Sequence, residues 1–349
     1  MRVLLTGSEG YVGTVMGPMF EAAGHDVVGF DTGFFATCGF GTQPTTHTTP
    51  GDMREFPHGL LDGIDAVVHL AALSNDPLGD LHADTTYEIN HRASVRLAEL
   101  ARDAGVPRFL FASSCSLYGV AGDAVLDEGA DFNPITPYGE SKVLVERDVS
   151  ALATDDFSPV FLRNATAYGV SPRLRADVVV NNLVGHAFTT GAVLIQSDGT
   201  PWRPLVHVED FSRAFLAALE APREAIHNEA FNVGRTEENY RISDVADVVE
   251  ACVSGSKVTY AEGGGPDPRS YRVNCDKLAE RLPAYRPEWT VERGVEQLRD
   301  AFAAAGLTRE EFLGSRYFRI KQIRSLQADG RLDGTLRWTS ASRPSEVTS

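Results

Sequence analysis

Short apolar runs alternate with segments of helical period along the first half of the chain. Val3-Leu4-Leu5-Thr6 is continuously apolar, the pattern of a buried strand. Val15, Met16, Met19, Phe20 and Ala23 then recur at helical spacing, and Gly24 ends that helix. Val27-Val28-Gly29-Phe30 predicts a second strand, Ala66-Val67-Val68-His69-Leu70 a third and Arg108-Phe109-Leu110-Phe111-Ala112 a fourth. Residues 34–50 are rich in Thr, Gly and Pro without periodicity and predict a surface loop. A long helix is predicted from about Asp80 to Ala104, and Pro159-Val160-Phe161-Leu162 reads as a further strand. Residues 292–328 form an amphipathic helical stretch carrying Phe302, Phe312 and Ile323. It is expected to wrap the core or to add to an oligomer contact.

The first strand runs straight into Gly7-Ser8-Glu9-Gly10-Tyr11-Val12-Gly13, and the loop opens the first helix. Glycines there let the backbone turn tightly and approach a pyrophosphate, which meets the helix N-terminus. The spacing is Gly-x-x-Gly-x-x-Gly, and the β-α-β context is complete. Asp31 ends the second strand, near the position expected for the acid that binds an adenosine ribose, roughly 20 residues past the loop. Its charge would repel a 2′-phosphate, which favours NAD over NADP. Asp52, in Gly51-Asp52-Met53-Arg54, is placed to reach the adenine, and the small Ala71-Ala72 after the third strand lets a cofactor lie over the sheet edge. His69, inside that strand, is expected to pack rather than to act as a ligand.

Tyr138 and Lys142 stand four residues apart in Pro137-Tyr138-Gly139-Glu140-Ser141-Lys142, one turn apart on a helix face. Thr136 suits the N-cap and Pro137 the first helical position. An ammonium beside a phenol favours the phenolate, which can exchange a proton with a substrate hydroxyl near neutral pH. The fourth strand ends in Ser113-Ser114-Cys115-Ser116-Leu117-Tyr118-Gly119, at the sheet edge where open α/β folds bind ligands. Ser114 there can hydrogen-bond a substrate hydroxyl and relay its proton to Tyr138.

Composition narrows the partners. The net charge of −16 argues against a general nucleic-acid or anionic-membrane surface, but not against a phosphorylated ligand. The four cysteines, Cys38, Cys115, Cys252 and Cys275, have no metal-ligand spacing, so no metal site is predicted and a reduced, cytoplasmic chain is the simplest expectation. No signal peptide is expected, and no apolar run reaches the length of a membrane span.

Together these motifs resemble the extended short-chain dehydrogenase/reductases, in the nucleotide-sugar epimerase/dehydratase family. The likeness continues in Leu162-Arg163 with Tyr168-Gly169 and in Arg203-Pro204-Leu205-Val206-His207-Val208-Glu209-Asp210, and it spans roughly residues 1–290. It implies an α/β fold: a Rossmann-type doubly wound parallel sheet with a smaller C-terminal substrate-binding domain. The NAD-binding domain is expected over 1–165, with segments about 205–235 returning to it. The substrate domain and C-terminal helices are expected over 166–330, and a flexible tail over 331–349. The resemblance implies an NAD site at Gly7, Gly10, Tyr11, Val12, Gly13, Asp31, Asp52, Met53, Leu70, Ala71, Ala72, Asn90 and Ser113, with Tyr138 and Lys142 shared with catalysis. Substrate contacts are expected from Ser114, Cys115, Ser116, Thr166, Arg203 and Arg269, the arginines suiting nucleotide phosphates. A homodimer is expected.

By the same resemblance, Tyr138 is the acid/base on a sugar hydroxyl, Lys142 holds the nicotinamide ribose, and Ser114 binds the same sugar oxygen. The chain departs from the family pattern at Asn164 and Thr166, where a tyrosine and an asparagine are usual. The 4,6-dehydratases carry Thr-Asp-Glu where this chain has Ser114-Cys115-Ser116, and the decarboxylases carry a glutamate at the last position. Serine is a poor base at neutral pH, so the expected reaction is epimerisation of a nucleotide-diphosphate sugar at C4. A dehydratase is the alternative; a ketoreductase, a decarboxylase and a non-catalytic NAD-sensing regulator rank below it.

Overall fold

The computed structural model describes residues 1–43, 46–74, 82–263, 265, 267, 269–340 and 342. Five strands come from the first third of the chain: β1 (Arg2–Thr6), β2 (Asp26–Asp31), β3 (Thr48–Pro50), β4 (Ala66–His69) and β5 (Arg108–Ser114). Then follow β6 (Val120–Leu126), β7 (Ser158–Asn164), β8 (Thr166–Tyr168), β9 (Ala192–Ile195), β10 (Trp202–His207) and β11 (Glu229–Val233). The last are β12 (Asn239–Arg241), β13 (Lys257–Tyr260) and β14 (Ser270–Val273). Seven of them form one parallel sheet in the order β11-β7-β5-β4-β1-β2-β3. The chain runs outward from β1 to β3, then restarts at β4 and runs outward the other way. That reversal leaves a crevice at the carboxyl ends of β1 and β4, where doubly wound sheets bind ligands.

Both faces of the sheet are covered, which explains why its strands read as continuous apolar runs. Val3 and Leu5 of β1 point to one face, against Met16 and Phe20 of the Gly13–Ala22 helix and Phe215 of the Val208–Glu220 helix. Leu4 points to the other, with Phe109 and Phe111 of β5, Leu97 and Val145. A second core gathers Val184, Val193, Leu205, Val249, Leu298, Phe302 and Phe312 from the chain's second half. Two small sheets frame it, β12-β10-β8 and β13-β9, and a third, β14-β6, packs in a separate cluster with Cys115, Leu117 and Tyr118.

Several sequence expectations change here. Residues 48–50 are not loop but the edge strand β3, whose partner β2 supplies the hydrogen bonds that the local sequence does not advertise. The long helix is described from Ala83 and is interrupted by a π-helical stretch, Tyr87–Arg92, before Ala93–Asp103 resumes α-geometry; its expected start at Asp80 lies outside the described residues. Residues 331–340, expected to belong to a flexible tail, are packed: Leu332 and Leu336 are buried with Phe34, Leu73, Ile89 and Ile323. Their apolar positions are too sparse to show a period, and Phe34, Leu73 and Ile89 lie far away in sequence. Residue 341 and residues 343–349 lie outside the described residues. Phe302, Phe312 and Ile323 are fully buried within the chain, so the 292–328 stretch wraps the core. No helix among the described residues is long and apolar enough to cross a membrane.

Candidate active site and cofactor crevice

A cavity of about 930 Å³ opens over the carboxyl ends of β1 and β4 and extends from the glycine loop past Tyr138 to Arg203 and Arg269. Gly7 adopts φ +76°, and a Cβ on it would stand 2.8 Å from the Ala71 nitrogen. A Cβ on Gly13 would stand 2.2 Å from the Gly7 carbonyl oxygen. Only glycine therefore lets the loop close on itself with its backbone facing the crevice. The Tyr11 hydroxyl donates to the Gly169 carbonyl at 2.8 Å, tying this loop to the end of β8.

Asp31 lies at the end of β2, as the spacing predicts. One carboxylate oxygen accepts from the Glu9 amide at 3.1 Å and the other from Gly33 at 2.8 Å. Burial pushes its pKa up to about 6, against those two hydrogen bonds. Asp52 and Met53 line the same end of the cavity, but the Asp52 carboxylate is gripped by Arg54, with Nη2 at 2.6 Å from Oδ2. Leu70, Ala71 and Ala72 form the floor. Loop, aspartate and small-residue floor fit a dinucleotide: they offer bare backbone for a pyrophosphate and a carboxylate for ribose hydroxyls.

Tyr138 and Lys142 occupy one face of the Pro137–Ser150 helix. Thr136 caps it, its Oγ1 accepting from the Gly139 amide at 3.1 Å, and Pro137 begins it. Lys142 is buried; its Nζ donates to the Ala112 carbonyl at 2.7 Å and lies 5.6 Å from the Tyr138 ring centroid. Burial pulls the lysine pKa down to about 7, with Glu146 opposing the shift.

Residues 113–116 alternate. Ser114 and Ser116 line the cavity, whereas the Ser113 hydroxyl turns inward to donate to Glu146 at 2.5 Å. Cys115 is also turned inward, its Sγ donating to the Arg163 carbonyl at 3.1 Å, and burial raises its pKa. Cys115 is thus no substrate contact, and Ser113 meets the cavity without its hydroxyl free. β5 ends at Ser114, and Cys115 opens a single 3-10 turn that the strand pattern does not announce. Asn90 also departs from expectation: it does not line the cavity, but clasps Leu73 through Oδ1 (2.8 Å) and Nδ2 (3.1 Å), which shapes the loop after β4.

The far end of the cavity is lined by Arg203 and Arg269, both held by Asp267 at 2.7 and 2.6 Å. Thr166 lines the cavity at the start of β8. Asn164, two residues before it, is anchored through Nδ2 to the Ser113 carbonyl at 2.9 Å, and its Oδ1 is buried without a partner. Sequence reading missed three arginines here. Arg173 pairs with Glu9 at 2.6 Å. Arg175 pairs with Asp177 at 2.8 Å but leaves Nη2 buried and unpartnered. Arg319 comes from the C-terminal helix Arg319–Ala328. Arg175 and Arg319 line the cavity. No group of three or more potential metal ligands occurs among the described residues.

Residues 3–234 match the model of the "NAD dependent epimerase/dehydratase family". A UDP-glucose 4-epimerase of Lactobacillus helveticus is 27% identical over 309 residues, covering 82% of this chain and 92% of that protein. Among solved structures, the UDP-glucuronic acid 4-epimerase of Bacillus cereus, with UDP-glucuronic acid and NAD, superposes with a TM-score of 0.75. It is 25% identical and covers 87% of this chain and 99% of that one. The NAD-dependent NDP-hexosamine 5,6-dehydratase TunA has a TM-score of 0.76 at 20% identity, covering 87% and 98%, a likeness of fold alone. With the glycine loop, the Tyr138–Lys142 face and the strand-end serines in one crevice, the chain belongs to the NAD-dependent epimerase/dehydratase family.

Proposed function

We propose that this protein inverts C4 of a nucleoside-diphosphate hexose, using NAD that it reduces and reoxidises within one turnover. The observation that carries this reading is the setting of Tyr138: Ser114 and Ser116 line its cavity, and among the described residues no carboxylate that lines the cavity stands free. Asp52, Asp177 and Asp267 are ion-paired with arginines, and Asp31 accepts from two amides at the adenosine end. Elimination of water would need a base beside the ketone and an acid for the leaving hydroxyl. Epimerisation at C4 needs only one group that takes a proton from an oxygen and gives it back.

Tyr138 is that group. Its phenolate, favoured by the Lys142 ammonium, takes the proton of the 4-hydroxyl while Ser114 hydrogen-bonds the same oxygen. When bound, NAD supplies the redox chemistry, taking a hydride from C4 and returning it to the opposite face. Between the two steps the sugar ring must turn over while its diphosphate stays anchored, the role assigned to Arg203 and Arg269. Tyr138 then returns the proton to the oxygen at C4. Gly7, Gly10, Tyr11, Val12 and Gly13 would hold the cofactor's pyrophosphate, Asp31 its adenosine ribose, and Lys142 its nicotinamide ribose.

The relatives named above act on UDP-glucose or bind UDP-glucuronic acid. Arg175 favours the second. Arg175 lines the same cavity as Tyr138, close enough for the two to interact electrostatically, and its Nη2 has no partner among the described residues, which suits a carboxylate on the sugar. The reading carries with it a cytoplasmic homodimer; light scattering on the purified protein tests the dimer, and cell fractionation the location. The reaction itself is tested by incubation with UDP-glucuronic acid, UDP-glucose and the matching dTDP-, GDP- and CDP-sugars, followed by mass and NMR analysis. A C4 epimer of unchanged mass is expected. Loss of water would indicate a dehydratase, and loss of carbon dioxide a decarboxylase.

A further inference from the structure

Arg319 is a buried guanidinium with no ion pair of its own among the described residues; Asp177, already paired with Arg175, acts on it only at longer range. It is 2% exposed, and its Nη2 donates to the Arg173 carbonyl at 2.7 Å. The guanidinium lies 4.2 Å from the Phe35 ring centroid, and Nη1 is buried with no partner. The neighbouring cations are balanced, Arg173 by Glu9 and Arg175 by Asp177, whereas no ion pair reaches Arg319 among the described residues. A buried charge left uncompensated costs several kcal/mol, so the corner is built for an anion that arrives from the cavity it lines. Arg319 also acts electrostatically on Tyr11, whose backbone belongs to the glycine loop.

The segment that carries Arg319 is fixed to the adenosine end at several points. The Trp338 indole donates to the Thr32 carbonyl at 2.7 Å, and its ring lies 5.7 Å from that of Phe34. Arg54, which grips Asp52, also donates to the carbonyls of Thr335 (2.7 Å) and Leu336 (3.1 Å). These contacts bind the chain's C-terminal part to the residues that follow Asp31 and to Asp52. All of it lies outside residues 3–234, so the family match does not account for it.

We infer that Arg319 is a ligand of the dinucleotide's pyrophosphate, and that the segment 319–338 closes over the adenosine end and is stabilised by the cofactor. The phosphates would supply the direct ion pair that Arg319 lacks, with the glycine loop holding them through its backbone. The inference rests on the family's cofactor and not on the reaction proposed above, and its test requires no turnover.

Cofactor-stripped protein is titrated calorimetrically with ADP-ribose, adenosine and UDP, as wild type and as Arg319→Met. A charged hydrogen bond of this kind predicts a loss on the order of 10–100-fold for ADP-ribose, with adenosine and UDP unchanged. Equal ADP-ribose affinity in the two proteins, or a loss confined to UDP, would overturn the assignment. Amide hydrogen exchange on the wild type stands independently of whether the variant folds. ADP-ribose should slow exchange across residues 319–338 and adenosine should do so less; unchanged exchange there with ADP-ribose bound would overturn the inference.

Discussion

The Lys142 ammonium stands 5.6 Å from the Tyr138 ring centroid, held in place by the Ala112 carbonyl at 2.7 Å. The lysine is therefore fixed by the end of β5, the strand that presents Ser114, and phenol, ammonium and serine hydroxyl are positioned by one junction of strand and helix.

Tyr138→Phe should fold normally, bind NAD and lose turnover by about 10²–10⁴-fold, the usual worth of general acid/base catalysis. Lys142→Met should lose activity as well and weaken NAD binding. Turnover and NAD titration on both variants check this; near-normal turnover in Tyr138→Phe would move the proton transfer to another residue.

Asp31→Ala should narrow the preference for NAD over NADP, because it removes a ribose acceptor and a repulsive charge together. In the wild type, NAD affinity should rise from pH 5 to pH 7, as the carboxylate ionises around its raised pKa of about 6 and becomes the better acceptor. Titrations with both cofactors across that range test both statements. Equal wild-type affinity for NADP and NAD would contradict the assignment.

The pair beneath the strand-end serines is structural. Arg163 and Glu146 are both buried, with Nη2 to Oε2 at 2.8 Å, and Arg163 also donates to the Glu128 carbonyl at 2.9 Å. Arg163→Met strands the Glu146 charge and should cost about 3–5 kcal/mol of stability. The double variant Arg163→Met with Glu146→Gln should recover part of that loss. Denaturant unfolding of the three proteins measures it, and additive losses would argue against a coupled pair.

His69 ties β4 to β1 and to the following helix. Its Nδ1 is 2.6 Å from Thr6 Oγ1 and its Nε2 2.7 Å from Ser94 Oγ, whose own hydrogen goes to the Asn90 carbonyl at 2.7 Å, a pattern that fits the neutral Nε2–H tautomer. Burial lowers its pKa to about 3 from an ordinary 6.5. Between those values the unfolded chain binds more protons than the folded one, so stability falls as pH drops from 6.5 toward 3, by up to about 1.4 kcal/mol per pH unit. His69→Gln should give a shallower acid limb in denaturation measured across this range; an unchanged slope would place the acid sensitivity elsewhere.

The parts of the site written contiguously were legible in the sequence. The glycine loop, Asp31 and the Tyr138–Lys142 face each depend on spacing within one element, and backbone geometry converts that spacing into position. Asn90 and Cys115 were misassigned because their direction is set by partners elsewhere, Leu73 for one and the Arg163 carbonyl for the other. Arg175 and Arg319 stayed hidden for a similar reason: an arginine in a loop or on a late helix reads as surface until the fold buries it. Residues 331–340 read as tail because Leu332, Leu336 and Trp338 find most of their apolar neighbours, Phe34, Leu73 and Ile89 among them, far back in the sequence.

The fate of a single hydrogen tests the central claim most directly. UDP-sugar deuterated at C4 is converted in ordinary water, and unlabelled substrate in heavy water, with products read by NMR. A 4-epimerase driven by Tyr138 and NAD keeps the label at C4 and places no solvent deuterium on carbon. Label at C6, or solvent deuterium at C3 or C5, would contradict C4 epimerisation and point to elimination or to an enolised ketone.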